Sequence, residues 1–452
     1  ARKLRCARSA RCAPTPTPPA RLSGELSACL ARLKSWLAPE TLEARARETG
    51  FMQRKPKRIT PLLFVQSAIL LVGESVVSFS RWAVLLGLLG HCTVAKQSLW
   101  ERVTAGAVAL LQQTLGLVLA ERIRARAVAL PQGLRTFKRV LIQDSTLIAL
   151  CAALAKVFPG SRNQCGTSHG QLRIQALYDL LTQRFVSFGL SGFTRNDQAA
   201  AHDILPALLP GDLVLRDLGY FVVETFARIA LAGACFLSRL RLDSVLFDPQ
   251  TQRPLPLLKA LRRQGQLDCR VLVGHQKLKL PEAVAAERRR KAKQNRDQRR
   301  RPNATYLALL GWAIFITNVD RKTLSARAVA QVYGLRWRIE TIFKAWKSHF
   351  RITQVPDGSP EQLLSIIYAR LILLTVMIQF CTQSGQDAWQ VDSPPARSLL
   401  KMAALVGDFF FQLCLEAWQI RITEALLLQL DYHGRYERRA RKNFVEKLMK
   451  LS

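Results

Sequence analysis

The spacing of apolar positions changes along the chain, and the changes divide it. From about residue 25 to 130 apolar side chains recur every three or four residues, as in "SLWERVTAGAVALLQQTLGLVLAERIRARAVAL". That is the period of helices with one buried face. After "PQGLRT" (131–136) the runs shorten. "FKRVLIQDST" (137–146), "QLRIQALYDLL", "RFVSFGLSGF" and "GDLVLRDLGYF" (211–221) read as strands, the middle two joined by "TQ" as a hairpin. "NDQAAAHDILPALL" and "VVETFARIALAGA" read as helices, the second leading into a strand at "CFLSRLR". Strands mixed with helices place this region in the α/β classes.

Residues 242 to about 320 break the rhythm. "QLDCRVLVGHQKLKLP" and "YLALLGWAIFITNV" read as strands, and between them nine Lys or Arg lie from Arg288 to Arg301. This is the pattern of a β-rich insertion with a basic arm. One long helix is expected from Lys322 to Phe350, then a polar linker and a helical piece ending in a basic tail. The expected organisation is a disordered basic N-terminus (1–24), a helical region (25–132), a catalytic domain (133–350, insertion about 242–320) and a helical C-terminal region (351–452).

Two apolar stretches raise the question of a membrane. Residues 62–90 carry Gln66, Glu74 and Arg81, and residues 363–381 carry Arg370. Charges are costly in lipid, so both are expected as core helices and no membrane partner is expected. The first twenty residues are basic and Pro-rich without an apolar run, so no signal peptide is expected there. The ten cysteines are singletons with no CxxC pair, which fits reduced thiols rather than a zinc site.

Charge alters the picture most. The chain has 67 Lys plus Arg against 32 Asp plus Glu, a net charge of +35. Such an excess repels itself unless a polyanion neutralises it, so nucleic acid is the expected partner. An RNA binder of ribosomal type, or a genome that favours Arg codons, would give the same bulk composition.

Against this basic background, a few acids stand where packing does not ask for them. Asp144 and Asp217 each end an apolar strand, the side on which open α/β sheets place ligands. At 100° per residue, Tyr333, Arg336, Trp337, Glu340, Lys344 and Lys347 share one stripe of the expected helix, and Leu335, Ile339, Ile342 and Trp346 share another. From Tyr333 to Lys347 the stripe would run ~21 Å, a scale suited to a nucleic-acid backbone. Glu340 alone reads as a salt-bridge partner of its cationic neighbours. Together with Asp144 and Asp217 it reads as one of three carboxylates around divalent cations, whose oxygen ligands suit Mg²⁺. Two such ions can run phosphodiester chemistry without a protein nucleophile. Asp212 begins its strand and so lies at the wrong end, while Asp179 and Asp197 are expected near the site in supporting positions.

Tyr333, Arg336, Glu340 and Lys347 reproduce the spacing Y-x2-R-x3-E-x6-K, inside "RWRIE" and "FKAWK". With "QDST" around Asp144 and "RDLGYF" around Asp217, the chain resembles the DDE transposases of the insertion-sequence-four family over about 25–380. The resemblance implies an RNase H-like α/β catalytic domain with a β-rich insertion between the second Asp and the Glu. It implies that Asp144, Asp217 and Glu340 ligate two Mg²⁺ ions, with Mn²⁺ able to substitute. Tyr333, Arg336, Lys347 and Lys344 would hold phosphate, and double-stranded DNA, as transposon ends and target, would be the partner of a homodimer. It further implies a cytoplasmic, nucleoid-associated protein of bacteria that binds terminal inverted repeats, cleaves them and transfers the strands. Trp312 matches the place where a related cut-and-paste transposase stacks a flipped base; packing in the core explains it equally well. The sequence departs from the family at Ser168, where a Lys often precedes the histidine, here His169. A catalytically silent DNA-binding relic and a metal-dependent nuclease are the alternatives.

Overall fold

The computed structural model describes residues 35–54, 58–120, 134–162, 168–242, 244–264, 304–383 and 399–418, two short strands at 268–269 and 275–279, and the single residues Ala31, Pro56 and Arg290. The expected N-terminal disorder (1–24), almost all of the basic arm and the basic tail lie outside these residues.

The described N-terminal part carries the helices α1 (Pro39–Glu48), α2 (Pro61–Gly73), α3 (Phe79–Gly90), α4 (Lys96–Arg102) and α5 (Ala105–Ala120). Thr60 and Ser78 cap α2 and α3 by accepting the backbone N–H groups of Leu63 and Arg81. The first apolar stretch is thus two short helices, and the Glu74–Arg81 ion pair (2.9 Å) closes the turn between them. The run beginning at Ser98 is also two helices rather than one, since α4 and α5 meet at 72°.

A nine-stranded mixed sheet follows: β1 (Arg139–Leu150), β2 (Pro159–Arg162), β3 (Ser168–Asp179), β4 (Arg184–Gly192), β5 (Asp212–Arg216), β6 (Cys235–Arg239), β7 (Asp268–Cys269), β8 (His275–Lys279) and β9 (Trp312–Thr317). Its order is β2-β3-β1-β5-β6-β9-β8-β7, with β4 also pairing β3. β1, β5 and β6 run parallel, while β3 and β9 are antiparallel to their neighbours β1 and β6. The α/β expectation therefore holds for this sheet. The helix α6 (Val223–Leu231) connects β5 to β6. The helix expected near residue 200 is only a tight turn of helix, Ala201–Ala207, with Pro206 inside it.

Within 242–320 the strands do not stand apart. β8 and β9 extend the central sheet outward from β6. The first half of "YLALLGWAIFITNV" is helix α8 (Ala304–Leu309), and α7 (Leu257–Gln264) is also helical. Leu261, Leu309 and Ile314 close a second apolar cluster here, separate from the main core.

The long helix expected from Lys322 to Phe350 is two, α9 (Ala326–Gly334) and α10 (Trp337–Ser348). At the join, the N–H groups of Leu335, Arg336 and Arg338 each bond the carbonyl three residues back. Such a tightened turn advances fewer residues per revolution than an α-helix. The 100° phase therefore fails across it, and Arg336 turns inward (6% exposed). Among the described residues, α11 (Pro360–Gln383) and α12 (Leu399–Ala417) follow. α11 is long and apolar enough to cross a membrane, but 89% of its apolar window is buried inside the protein, against α2, α5 and α12.

Candidate active site

Asp144 lies in the middle of β1, because the strand runs on to Leu150 beyond the expected end. Its neighbour on the sheet is the end of β5. Gln143 pairs with Arg216 in parallel register, so Asp144 and Asp217 follow at the same level on adjacent strands. Gln143 and Arg216 reach the other face of the sheet, where their side chains donate to the carbonyls of Ala200 and Ala201 (3.0 and 2.7 Å). Strand alternation then sends Asp144 to the opposite face, toward α10. Asp217 begins the short turn of helix Leu218–Tyr220 without capping it, so its carboxylate is free for other partners.

Glu340 comes from the first turn of α10, which Ile339, Ile342, Ala345 and Trp346 anchor by burial. Asp144, Asp217 and Glu340 line one cleft of about 520 Å³, together with Ser145, Arg336, Lys344 and Lys347. The structure thus brings together six residues that the sequence singled out. Lys344 and Lys347 are exposed on its rim.

Arg336 is the hub of this cleft. One of its terminal nitrogens lies 3.3 Å from Asp144 Oδ2, and the other lies 2.6 Å from Glu340 Oε1 and 3.6 Å from Asp217 Oδ1. Burial on its own lowers the pKa of this guanidinium, but Tyr333 and the three carboxylates outweigh burial, and the net shift is upward. Asp144 shows the reverse balance. Burial raises its pKa to about 7, against the lowering effect of the Ser145 N–H and of Arg336.

Among the described residues, no three His, Cys, Asp or Glu side chains stand close enough together, as placed, to hold one metal ion. The three acids instead surround a guanidinium, a positive group between all-oxygen donors. That donor set suits a hard divalent cation such as Mg²⁺.

The other expected residues are placed as follows. Tyr333 is buried against Phe315 (ring centroids 5.1 Å), and its hydroxyl points to Asp217 Oδ1 at 3.5 Å. Burial pushes its pKa up to about 12. Trp312, half-buried at the start of β9, packs against the second apolar cluster and does not line the cleft. Asp179 is not near the acids: it closes the β3–β4 turn, accepting from Leu181 N–H (3.1 Å) and the Thr182 hydroxyl (2.7 Å). Asp212 pairs with Arg139 at 2.6 Å. His169 is exposed at the start of β3.

Sequence reasoning did not single out Ser145, Arg173, Gln175 and Tyr220, which bond around Asp197 behind the cleft. The alternation of Arg173 and Gln175 on β3, a polar pair inside an apolar strand, is the signal that could have found them.

Residues 135–375 match the family described as the transposase DDE domain. The chain is 26% identical over 380 residues to the transposase of insertion sequence element IS231F from Bacillus thuringiensis subsp. israelensis, covering 77% of this chain and 79% of that one. It is 26% identical over 359 residues to the transposase of IS1151 from Clostridium perfringens, covering 71% and 75%. A solved piggyBac transposase synaptic complex with hairpin DNA aligns over 91% of this chain and 84% of its own, at 9% identity and a TM-score of 0.41. With more than half its length matching the transposase DDE domain, and with three acids meeting in one cleft inside that match, the chain belongs to the DDE transposases.

Proposed function

We propose that this protein cuts the ends of an insertion-sequence element and joins them to target DNA, with Asp144, Asp217 and Glu340 holding divalent cations. The observation that carries the reading is the meeting of the three acids, from β1, β5 and α10, in a cleft rimmed by Lys344 and Lys347. When bound, Mg²⁺ or Mn²⁺ ions supply the charge that activates the attacking oxygen and stabilises the leaving one.

The protein's own groups supply position and countercharge. The parallel register of Gln143 with Arg216 places Asp144 and Asp217 side by side at one level of the sheet. Lys344 and Lys347, one helical turn apart on α10, grip the phosphate beside the scissile bond. Arg336 pairs with all three carboxylates, and with divalent cations held by those acids its guanidinium would be available to pair with that phosphate. Cutting consumes one water. The bond from phosphorus to the 3′ oxygen breaks, the water oxygen stays on the 5′ phosphate, and the element ends in a 3′-OH. That hydroxyl then attacks a target phosphodiester, exchanging one P–O bond for another and releasing a new 3′-OH.

The helices α1 to α5 are the proposed recognition region for terminal inverted repeats, and a homodimer pairs the two ends. The excess of 35 positive charges suits a polyanion such as DNA. The test is incubation with linear DNA bearing the element's ends and Mg²⁺, with Glu340→Gln in parallel. End-specific nicking that vanishes in the variant is expected. Binding without cleavage would make the protein a silent relic, and cutting at every end would make it a general nuclease.

A further inference from the structure

Behind the acid cleft lies a second polar cluster that the cleavage chemistry does not use. Its centre is Asp197, in the segment between β4 and β5. A single oxygen, Oδ1, accepts three hydrogen bonds: from Ser145 Oγ at 2.7 Å, Arg173 at 2.9 Å and Gln175 at 3.2 Å. The same Arg173 nitrogen also donates to Ser145 Oγ at 3.0 Å, which closes a ring of bonds. Gln175 in turn accepts from the Tyr220 hydroxyl. Arg173, Gln175 and Tyr220 are buried (7%, 5% and 0% exposed).

The two ends of this cluster sit next to the two aspartates. Ser145 directly follows Asp144 on β1. Tyr220 closes the short helical turn that Asp217 begins. Asp197 also touches that turn directly: a side-chain carbon added at Gly219 would stand 3.0 Å from Asp197 Oδ2. Gly219 thus lets the carboxylate come closer than any other residue would. Asp197 keeps 28% of its side chain exposed and pairs with the buried Arg173 at 2.9 Å, so it is the open end of a network whose other members lie inside.

We propose that Asp197 is a positioning residue that sets the distance between Asp144 and Asp217, and so the affinity of the cleft for divalent cations. It works through Ser145 on one side and through Gln175 and Tyr220 on the other. The inference rests on the cleavage reading above. Groups that orient metal ligands from behind typically matter by 10–100-fold in affinity or rate.

Two substitutions test it from opposite sides. Asp197→Asn keeps the shape and removes the charge that holds Arg173. Gly219→Ala leaves every hydrogen-bonding group in place and pushes Asp197 back by a few tenths of an ångström. Mn²⁺ affinity of the full-length protein is measured by calorimetry, DNA-end affinity in Ca²⁺, thermal stability by melting, and nicking in Mg²⁺. Both variants should bind Mn²⁺ and nick at least about tenfold more weakly, while end affinity stays within about twofold. The double variant should be no worse than the weaker single, because both act on one contact. A merely structural role would lower melting temperature and end binding alongside Mn²⁺ affinity, and that result overturns the proposal. So does Mn²⁺ affinity within twofold of wild type in both variants, provided wild type nicks and binds Mn²⁺ more tightly than Glu340→Gln. If wild type and Glu340→Gln are alike in both readouts, the cleavage reading itself falls and takes this one with it.

Discussion

Arg336 and Arg370 are both sealed from solvent, at 6% and 0% exposure, and both lie in or beside long helical segments. Their surroundings are opposite. Arg336 sits between three carboxylates, and their charges hold its pKa up against burial. Arg370, in the middle of α11, donates to the Ile352 carbonyl at 3.2 Å, while its Nε and one terminal nitrogen have no hydrogen-bond partner among the described residues. Burial, and then the like charge of Arg351, pushes its pKa down to about 10. In one place the protein gathers charge; in the other it tolerates a single charge in an apolar core. The difference separates a site from a scaffold, and it can be tested.

The largest expected effect belongs to the acids. Asp217→Asn or Glu340→Gln should reduce end cutting by about 10³-fold or more, since each removes charge from the place where the phosphodiester chemistry is held. Arg370→Met should cut at close to the wild-type rate. Nicking assays on end-bearing DNA read both, and equal loss in all three variants would erase the distinction between site and scaffold.

Much of this distinction was legible in the sequence. The strands that carry or lead into "QDST" and "RDLGYF" form where they were expected, and Arg336, Glu340 and Lys347 of the Tyr-Arg-Glu-Lys spacing line the cleft where Asp144 and Asp217 meet. What failed was phase. A uniform 100° per residue puts Arg336 on an open stripe with Lys344 and Lys347, whereas the three-residue bonds at Leu335 and Arg336 rotate it inward. A helical wheel cannot register that turn, because it depends on hydrogen-bond lengths rather than on residue type. Strand ends failed for a related reason. Asp144 looks terminal because the apolar run stops there, yet the antiparallel pairing of β1 with β3 continues to Leu150. The network around Asp197 was hidden because its members are scattered from Ser145 to Tyr220, and only the sheet register gathers them.

A smaller effect sharpens the comparison in stability. Arg336→Met leaves three acids facing one another; two of them are more than one-third exposed, so solvent screens part of the repulsion. A loss of about 1–2 kcal/mol is expected near pH 8, and added Mg²⁺ should restore much of it. For Arg370→Met the lost bond to Ile352 is offset by the relief of burying a cation, and the change should stay below about 1 kcal/mol. Thermal melts with and without Mg²⁺ measure both. If Mg²⁺ stabilises the Arg370 variant but not the Arg336 variant, the cation is not taking the guanidinium's place.

The finest test uses pH, because burial acts on Asp144 as it acts on Arg370, pushing each toward its neutral form. For Asp144 the result is a pKa of about 7, raised from the ordinary 3.8. The sign follows from linkage. Between these values the folded protein holds the proton more tightly than the unfolded chain does, so this group's stabilising contribution is complete below the ordinary value and is lost as pH rises through about 7. Cation binding runs the other way, since the carboxylate must be deprotonated to serve as a ligand. Mn²⁺ affinity should therefore be flat above about pH 7.5 and fall about tenfold per pH unit below 7. Asp144→Asn should remove the acid-side gain in stability and leave only weak, pH-independent Mn²⁺ binding. Arg370, at about 10, titrates outside this window and cannot produce the slope. If the bend in Mn²⁺ affinity lies near 4 instead, the pull of Arg336 on Asp144 outweighs its burial, and the cleft is governed by its countercharge rather than by its depth.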